Sequence, residues 1–283
     1  SAALLEALIP PSNAAILFSA LTNVPVSQTF AAGVIPGLIL LAFMVIVVLI
    51  KCRNIRNPEP ASAAERWRSF LGALPGLFTP IIILGGIYAG LLTPSESAAV
   101  AGVWAIVMGF FIYRELTFAS LCLALKETAT ITAIIFAIIA TATFLSVVLT
   151  YSQIPQQIVS YFTDMGATFA LFWVALAIIC LLLGTFVEIV PVFYLTVPIF
   201  AAITLSFNQS LLHLYVVFVA FAGIGMITPP VCVGIYTSAS VIQENPAKAF
   251  REVPLFVGVG ILYGILMILI PEASTWLPSL LTR

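Results

Sequence analysis

Charge is what this chain has least of. Only 7% of its 283 residues are charged, against about 25% in an ordinary soluble domain. A soluble fold of this size could not cover its surface with so few. Histidine is nearly missing too: His213 stands alone, with no cysteine or carboxylate cluster near it in sequence, which argues against a zinc site. The four cysteines, Cys52, Cys122, Cys180 and Cys232, are scattered without CxxC spacing. They read as apolar filler or as cytoplasmic thiols. No HExxH or GxSxG is present, which argues against an intramembrane enzyme. No basic patch with interleaved aromatics suggests nucleic acid.

Long apolar runs are abundant instead, in a chain that is 62% hydrophobic. A bilayer core of roughly 30 Å takes about 20 helical residues to cross. Such runs cover 34–50, 74–92, 97–113, 128–151, 167–184, 189–205, 211–242 with an interruption at 225–230, and 253–270. One of them could be a signal peptide, but this many cannot. Between them lies a Pro-rich polar linker at 57–63. Segment 64–73 carries Glu65, Arg66, Trp67 and Arg68 and reads as a helix lying at the membrane interface. A second interfacial segment is expected at 154–165. Pro94 suits a first helical position and Glu96 a helix N-terminus, so Glu96 reads as a cap rather than an ion ligand.

Basic residues give the topology. Cytoplasmic loops are enriched in Lys and Arg. With 51–68 placed in the cytoplasm, 114–127 and 243–252 fall there as well, and together they hold every Lys and Arg except Arg283. The opposite turns, 23–29, 93–96, 151–165 and 206–210, hold none. The count requires 167–184 and 189–205 to return to their starting side, as two full spans or as a re-entrant hairpin. Gly184, Thr185 and Glu188 at the tip, with no basic residue, favour the hairpin.

One pattern occurs twice. Ile9-Pro10-Pro11-Ser12-Asn13 and the residues after it match Thr228-Pro229-Pro230-Val231-Cys232 and its continuation at a constant offset of 219. The topology runs the first copy outward and the second inward, so they are inverted repeats. A double proline removes two backbone donors and breaks the helix. The freed carbonyls are tolerable in a membrane only where they line a cavity or hold a cation. The bland alternative is that each Pro-Pro merely kinks a packed helix. A complete hairpin precedes the second break, but only nine residues precede Pro10, and the chain opens with Ser1. It therefore reads as the C-terminal portion of a longer polypeptide.

These residues resemble a known family. Leu8-Ile9-Pro10-Pro11-Ser12, Leu84-Gly85-Gly86-Ile87-Tyr88-Ala89-Gly90, Thr93-Pro94-Ser95-Glu96-Ser97-Ala98-Ala99-Val100 and Ile227-Thr228-Pro229-Pro230-Val231 stand in the order found in the large membrane subunit of TRAP (tripartite ATP-independent periplasmic) transporters. The resemblance implies an all-α polytopic fold with inverted repeats, broken helices and a re-entrant hairpin, working as an elevator. It implies sodium-coupled uptake of a small organic anion, such as a C4-dicarboxylate or sugar acid, across the bacterial inner membrane. A small four-helix membrane subunit and a periplasmic binding protein would be the partners, with Na+ as coupling ion and no organic cofactor. The closest alternative is a related inverted-repeat anion transporter needing no binding protein.

On this resemblance the chain divides into the end of a first transport repeat (1–23), a spanning helix and linker (24–63), an interfacial arm with scaffold helices (64–150), a second transport repeat (151–242) and a final span (243–283). The family's second sodium site, carried over by motif, falls on Gly184, Gly225, Thr228 and Val231, with Thr228 offering a hydroxyl and the others carbonyls. Ser12 and Asn13 are the candidates at the first break, or else caps of the helix that restarts there. Thr185, Pro10, Pro11, Pro229 and Pro230 would support the sites. Glu188 either supports the ion site, as intramembrane carboxylates tend to, or caps the hairpin's second helix. Glu6 departs from the family, which has glycine near there, and could join a site or face the cytoplasmic cavity.

Overall fold

The computed structural model describes residues 2–53, 61–164, 169–187, 189–229, 250 and 253–281. Among them all regular structure is helical, and the chain forms two units, 1–50 with 138–283 and 51–137.

The larger unit is built around one helix. In chain order its elements are α1 (Ala2–Leu8), α2 (Asn13–Thr22), most of α3 (Val26–Cys52), the end of α6 (Phe118–Tyr151), α7 (Ile154–Asp164), α8 (Phe169–Phe186), α9 (Ile189–Ser206), α10 (Leu211–Ile227), α11 (Val253–Leu269) and α12 (Glu272–Leu281). Helix α10 is apolar all round and is buried from His213 to Gly225, the behaviour of a helix with neighbours on every side. Helices α1, α2, α8, α9, α11 and α12 all pack against it. Lipid is as apolar as leucine, so close fit rather than water exclusion holds such helices together. The fit is visible in a buried ring cluster: Phe193 and Phe218 meet edge-on at 4.6 Å, and Phe18 lies 5.3 Å from Tyr215. Gly33 of α3 sits against the Leu8 carbonyl, where no side chain has room. On the outer face of α3, Leu38, Ile46, Leu49 and Ile50 stay exposed, as lipid-facing residues should.

The smaller unit holds α4 (Ala63–Tyr88), α5 (Pro94–Val107) running into a π turn (Met108–Ile112), and the start of α6. Both helix starts carry capping boxes. At α5 the Thr93 amide donates to the Glu96 carboxylate at 2.8 Å, while the Glu96 amide donates to the Thr93 hydroxyl at 3.3 Å. Pro94 occupies the first turn, as the sequence predicts. Two long-range bonds tie α5 to α4: the Trp104 indole donates to the Pro75 carbonyl at 3.1 Å, and the Tyr113 hydroxyl to the Gly72 carbonyl at 3.0 Å.

Several boundaries differ from the sequence reading. The interfacial segment 64–73 and the span 74–92 form one helix, α4, which runs through Pro75 and Pro80. A proline orphans one carbonyl four residues back, and here the flanking carbonyls of Gly72 and Pro75 gain side-chain donors from the next helix. Helix α6 starts at Phe118 rather than 128 and runs for 34 residues, since no Gly or Pro interrupts it. Helix α3 begins at Val26, ahead of 34. The final segment bends by 60° at Pro271 into α12, where a single span ending at 270 was expected.

Five described helices are long and apolar enough to cross a bilayer, Val26–Cys52, Ala63–Tyr88, Pro94–Ile112, Phe118–Tyr151 and Ile189–Ser206, and a sixth if the bent α11–α12 pair counts as one span. The chain is an all-α, multi-pass membrane protein. The expected hairpin helices are α8 and α9, 18 residues each, at the short end of what crosses about 30 Å.

Candidate cation site at the helix breaks

In a helix the carbonyl of residue i accepts from the amide of residue i+4. Pro10 and Pro11 have no amide hydrogen, so they strip the carbonyls of Glu6 and Ala7 of their helical partners. The chain leaves the helix after Leu8 and re-enters it at Asn13. Ser12 is the N-cap of α2, extended at φ −121° and ψ 130°, and its hydroxyl oxygen accepts from the Ala15 amide at 3.4 Å. The same hydroxyl donates to the Ala7 carbonyl at 2.7 Å. Ser12 is buried, Pro10 and Pro11 are half-buried, and Asn13 and Glu6 are exposed.

The second break repeats the logic with different groups. Pro229 and Pro230 strip Gly225 and Met226. Helix α10 continues through Ile227, two residues beyond the expected start of the break. Thr228 closes it in extended conformation, φ −88° and ψ 134°. The Thr228 amide donates to the Gly225 carbonyl at 2.8 Å and its hydroxyl donates to the Ile224 carbonyl at 2.7 Å. With its hydrogen committed, the half-buried Thr228 oxygen keeps lone pairs for another partner. Pro229 is exposed; Pro230 and Val231 lie outside the described residues.

Gly184 and Gly225, 41 positions apart in the chain, meet where α8 crosses α10. A methyl on Gly184 would come within 2.5 Å of the Ala222 carbonyl oxygen, and one on Gly225 within 2.7 Å of the Leu181 oxygen. Only hydrogens fit between the two backbones. The contact brings the end of α8 to the end of α10, so Gly184, Thr185, Gly225 and Thr228 share one neighbourhood. Thr185 is buried and donates to the Leu181 carbonyl at 2.6 Å. Glu188 lies outside the described residues.

The groups gathered at the two breaks are carbonyl and hydroxyl oxygens. Such neutral, hard oxygens suit a hard monovalent cation and not a soft transition metal. Among the described residues no group of three His, Cys, Asp or Glu side chains could hold a metal. Oxygens of this type suit hard cations, Na+ among them.

Two features escape the sequence. Tyr215 of α10 donates to the Ala7 carbonyl at 2.9 Å; a tyrosine in an otherwise apolar helix needs a partner for its hydroxyl, but sequence cannot say which. His213 is buried, with Nδ1 3.1 Å from the Ser274 hydroxyl of α12 and its ring 4.8 Å from Trp173. That pair depends on the bend at Pro271.

The family model for the tripartite ATP-independent periplasmic transporter, DctM component, matches residues 1–273. A C4-dicarboxylate TRAP transporter large permease protein of Pseudomonas aeruginosa is 34% identical over 99% of this chain and 66% of its own length. An ectoine/5-hydroxyectoine TRAP large permease of Ruegeria pomeroyi is 31% identical over 96% of this chain and 64% of its own. A sialic acid TRAP large permease of Vibrio cholerae is 30% identical over 96% and 64%. The chain thus spans about two thirds of the length of these relatives. All of them are transporter permeases rather than enzymes. With a family match over nearly its full length and a helix ending just ahead of each Pro-Pro motif, the chain belongs to the DctM family of large membrane components of TRAP transporters.

Proposed function

We propose that the protein is the permease subunit of a TRAP transporter that takes up a small organic anion together with Na+. One observation carries this reading: α10 ends at Thr228 beside Gly184, where the Thr228 hydroxyl, its hydrogen committed to the Ile224 carbonyl, keeps lone pairs free and Pro230 denies the Met226 carbonyl its helical amide. Oxygens left short of donors at membrane depth call for a cation. Gly184, Gly225, Thr228 and Val231 would supply the second site, and Ser12 and Asn13 the first. Thr185, Pro10, Pro11, Pro229 and Pro230 shape the breaks, while Glu188 and Glu6 would tune the local charge. The driving force is adequate, since one charge falling through 100 mV releases about 2.3 kcal/mol.

On this reading the protein lies in a bacterial inner membrane with 51–68, 114–127 and 243–252 in the cytoplasm. The segments 1–23 and 151–242 move as transport repeats, with α8 and α9 as the re-entrant hairpin, and 64–150 holds the scaffold helices. A small four-helix subunit and a periplasmic binding protein complete the machine. The substrate is a carboxylate such as a C4-dicarboxylate or a sugar acid, in keeping with the names of the relatives.

The test is Thr228→Val in the complete transporter, reconstituted with its small subunit and binding protein. The variant keeps shape and loses one oxygen. The sodium concentration for half-maximal uptake should rise about ten-fold, the equivalent of roughly 1.4 kcal/mol. An unchanged sodium response removes Thr228 from the site.

A further inference from the structure

The two breaks differ in how they treat their stripped carbonyls. At the first, the Ala7 carbonyl receives two hydroxyls, from Ser12 at 2.7 Å and from Tyr215 at 2.9 Å. Both lone pairs of that oxygen are thereby used. At the second, the 219-residue offset pairs Ala7 with Met226 and Ser12 with Val231, which has no hydroxyl to offer. Val231 cannot cap Met226 as Ser12 caps Ala7.

Tyr215 belongs to α10, the helix that ends in the second break, twelve residues before Ile227. Its ring is fully buried and packs 5.3 Å from Phe18 of α2, the helix that follows the first break. One side chain therefore joins the first break to the helix that forms the second. The bond spans 208 residues and ties the end of α1, just ahead of the first Pro-Pro, to α10.

We propose that Tyr215 is a positioning residue of the coupling machinery: its hydroxyl closes the Ala7 carbonyl and locks the first break to α10, so that the two breaks respond to sodium as one unit. The inference rests on the sodium-coupled reading above. Tyr215 does not touch the ion. It keeps the Ala7 oxygen out of the ligand set and fixes where the neighbouring backbone stands, so that ion binding at the end of α10 is felt at the first break.

The experiment compares Tyr215→Phe with the wild type in the complete reconstituted transporter, using whichever of succinate, N-acetylneuraminate and ectoine the wild type carries. Phenylalanine preserves the ring cluster and removes only the hydroxyl. We expect the half-activating sodium concentration to rise at least three-fold and the steepness of the sodium curve to fall. Maximal rate should stay within two-fold and substrate KM should not change. Tyr263→Phe, which removes a buried hydroxyl that has no partner among the described residues, should leave the sodium curve where it was. Ser12→Ala addresses the same oxygen from its other side. Combined with Tyr215→Phe, it should shift the curve by a factor different from the product of the single shifts. A Tyr215→Phe sodium curve that superimposes on the wild type overturns the lock. So does a loss confined to protein yield or maximal rate, which marks a merely structural tyrosine. A wild type indifferent to sodium overturns the functional reading itself, and the lock with it. Should Tyr215→Phe fail to accumulate, Phe18→Leu, which removes the ring that seats Tyr215 against α2, decides by its sodium curve, with the same two results on either side.

Discussion

Individual residues at the breaks act through what their backbones lack. Proline removes an amide and glycine removes a side chain, and both effects were legible in the sequence. Pro10, Pro11, Pro229 and Pro230 each deny a helical amide to the carbonyl four residues back, whatever the packing. Gly184 and Gly225 were singled out by motif, but sequence could not show that they press against each other. That contact makes a strong prediction: Gly225→Leu drives a side chain into the Leu181 carbonyl and should lower uptake at least ten-fold, measured per mole of protein recovered in the membrane. Ser12 can be tested by stability. Ser12→Ala removes the N-cap of α2, a loss worth about 1 kcal/mol, and leaves the half-buried Ala7 carbonyl with Tyr215 alone. The unfolding temperature of the purified protein should fall. Tyr215 itself was not legible, because a hydrogen bond 208 residues long leaves no local pattern.

Among the elements, the capped start of α5 agrees with the sequence reading, whereas α3 and α6 start eight and ten residues ahead of it. The capping box of Thr93 and Glu96 places the beginning of α5 where the sequence does, because the signal is local and chemical. Thr93→Ala should lower stability by about 1 kcal/mol and leave the sodium response of uptake intact, checked by thermal unfolding beside transport. The extents of α4 and α6 were read too short for a shared reason. Polarity changes at 73 and at 128, but a helix stops only where its hydrogen bonds do. In α6 nothing stops them between Phe118 and Tyr151. In α4 the two prolines are accommodated, with Trp104 and Tyr113 serving neighbouring carbonyls. The bend before α12 is the converse case. Pro271 stood in plain sight, yet the apolar run ahead of it read as a simple terminal span.

Composition decided the class of the whole molecule, and the asymmetry of basic residues predicts its orientation. Both are global properties that survive errors in any single helix boundary. The orientation can be checked chemically. Cys52 is exposed at the end of α3 beside Lys51. In a variant keeping it as the sole cysteine, a membrane-impermeant maleimide should label inverted vesicles and not intact cells. The repeated Pro-Pro motif belongs to this scale too, since a constant offset between two unusual motifs needs no knowledge of packing. The asymmetry between its two copies was not legible, because it lies in which hydroxyl reaches which carbonyl. The account as a whole depends on a cation being held by neutral oxygens at the breaks. A ligand that binds only the folded protein raises its unfolding temperature. The most direct measurement is thus the unfolding temperature of the full-length protein in detergent, titrated with NaCl and with KCl at equal ionic strength. The account predicts a rise specific to NaCl, which Thr228→Val moves to higher salt. Coincident curves for the two salts in the wild type would contradict it.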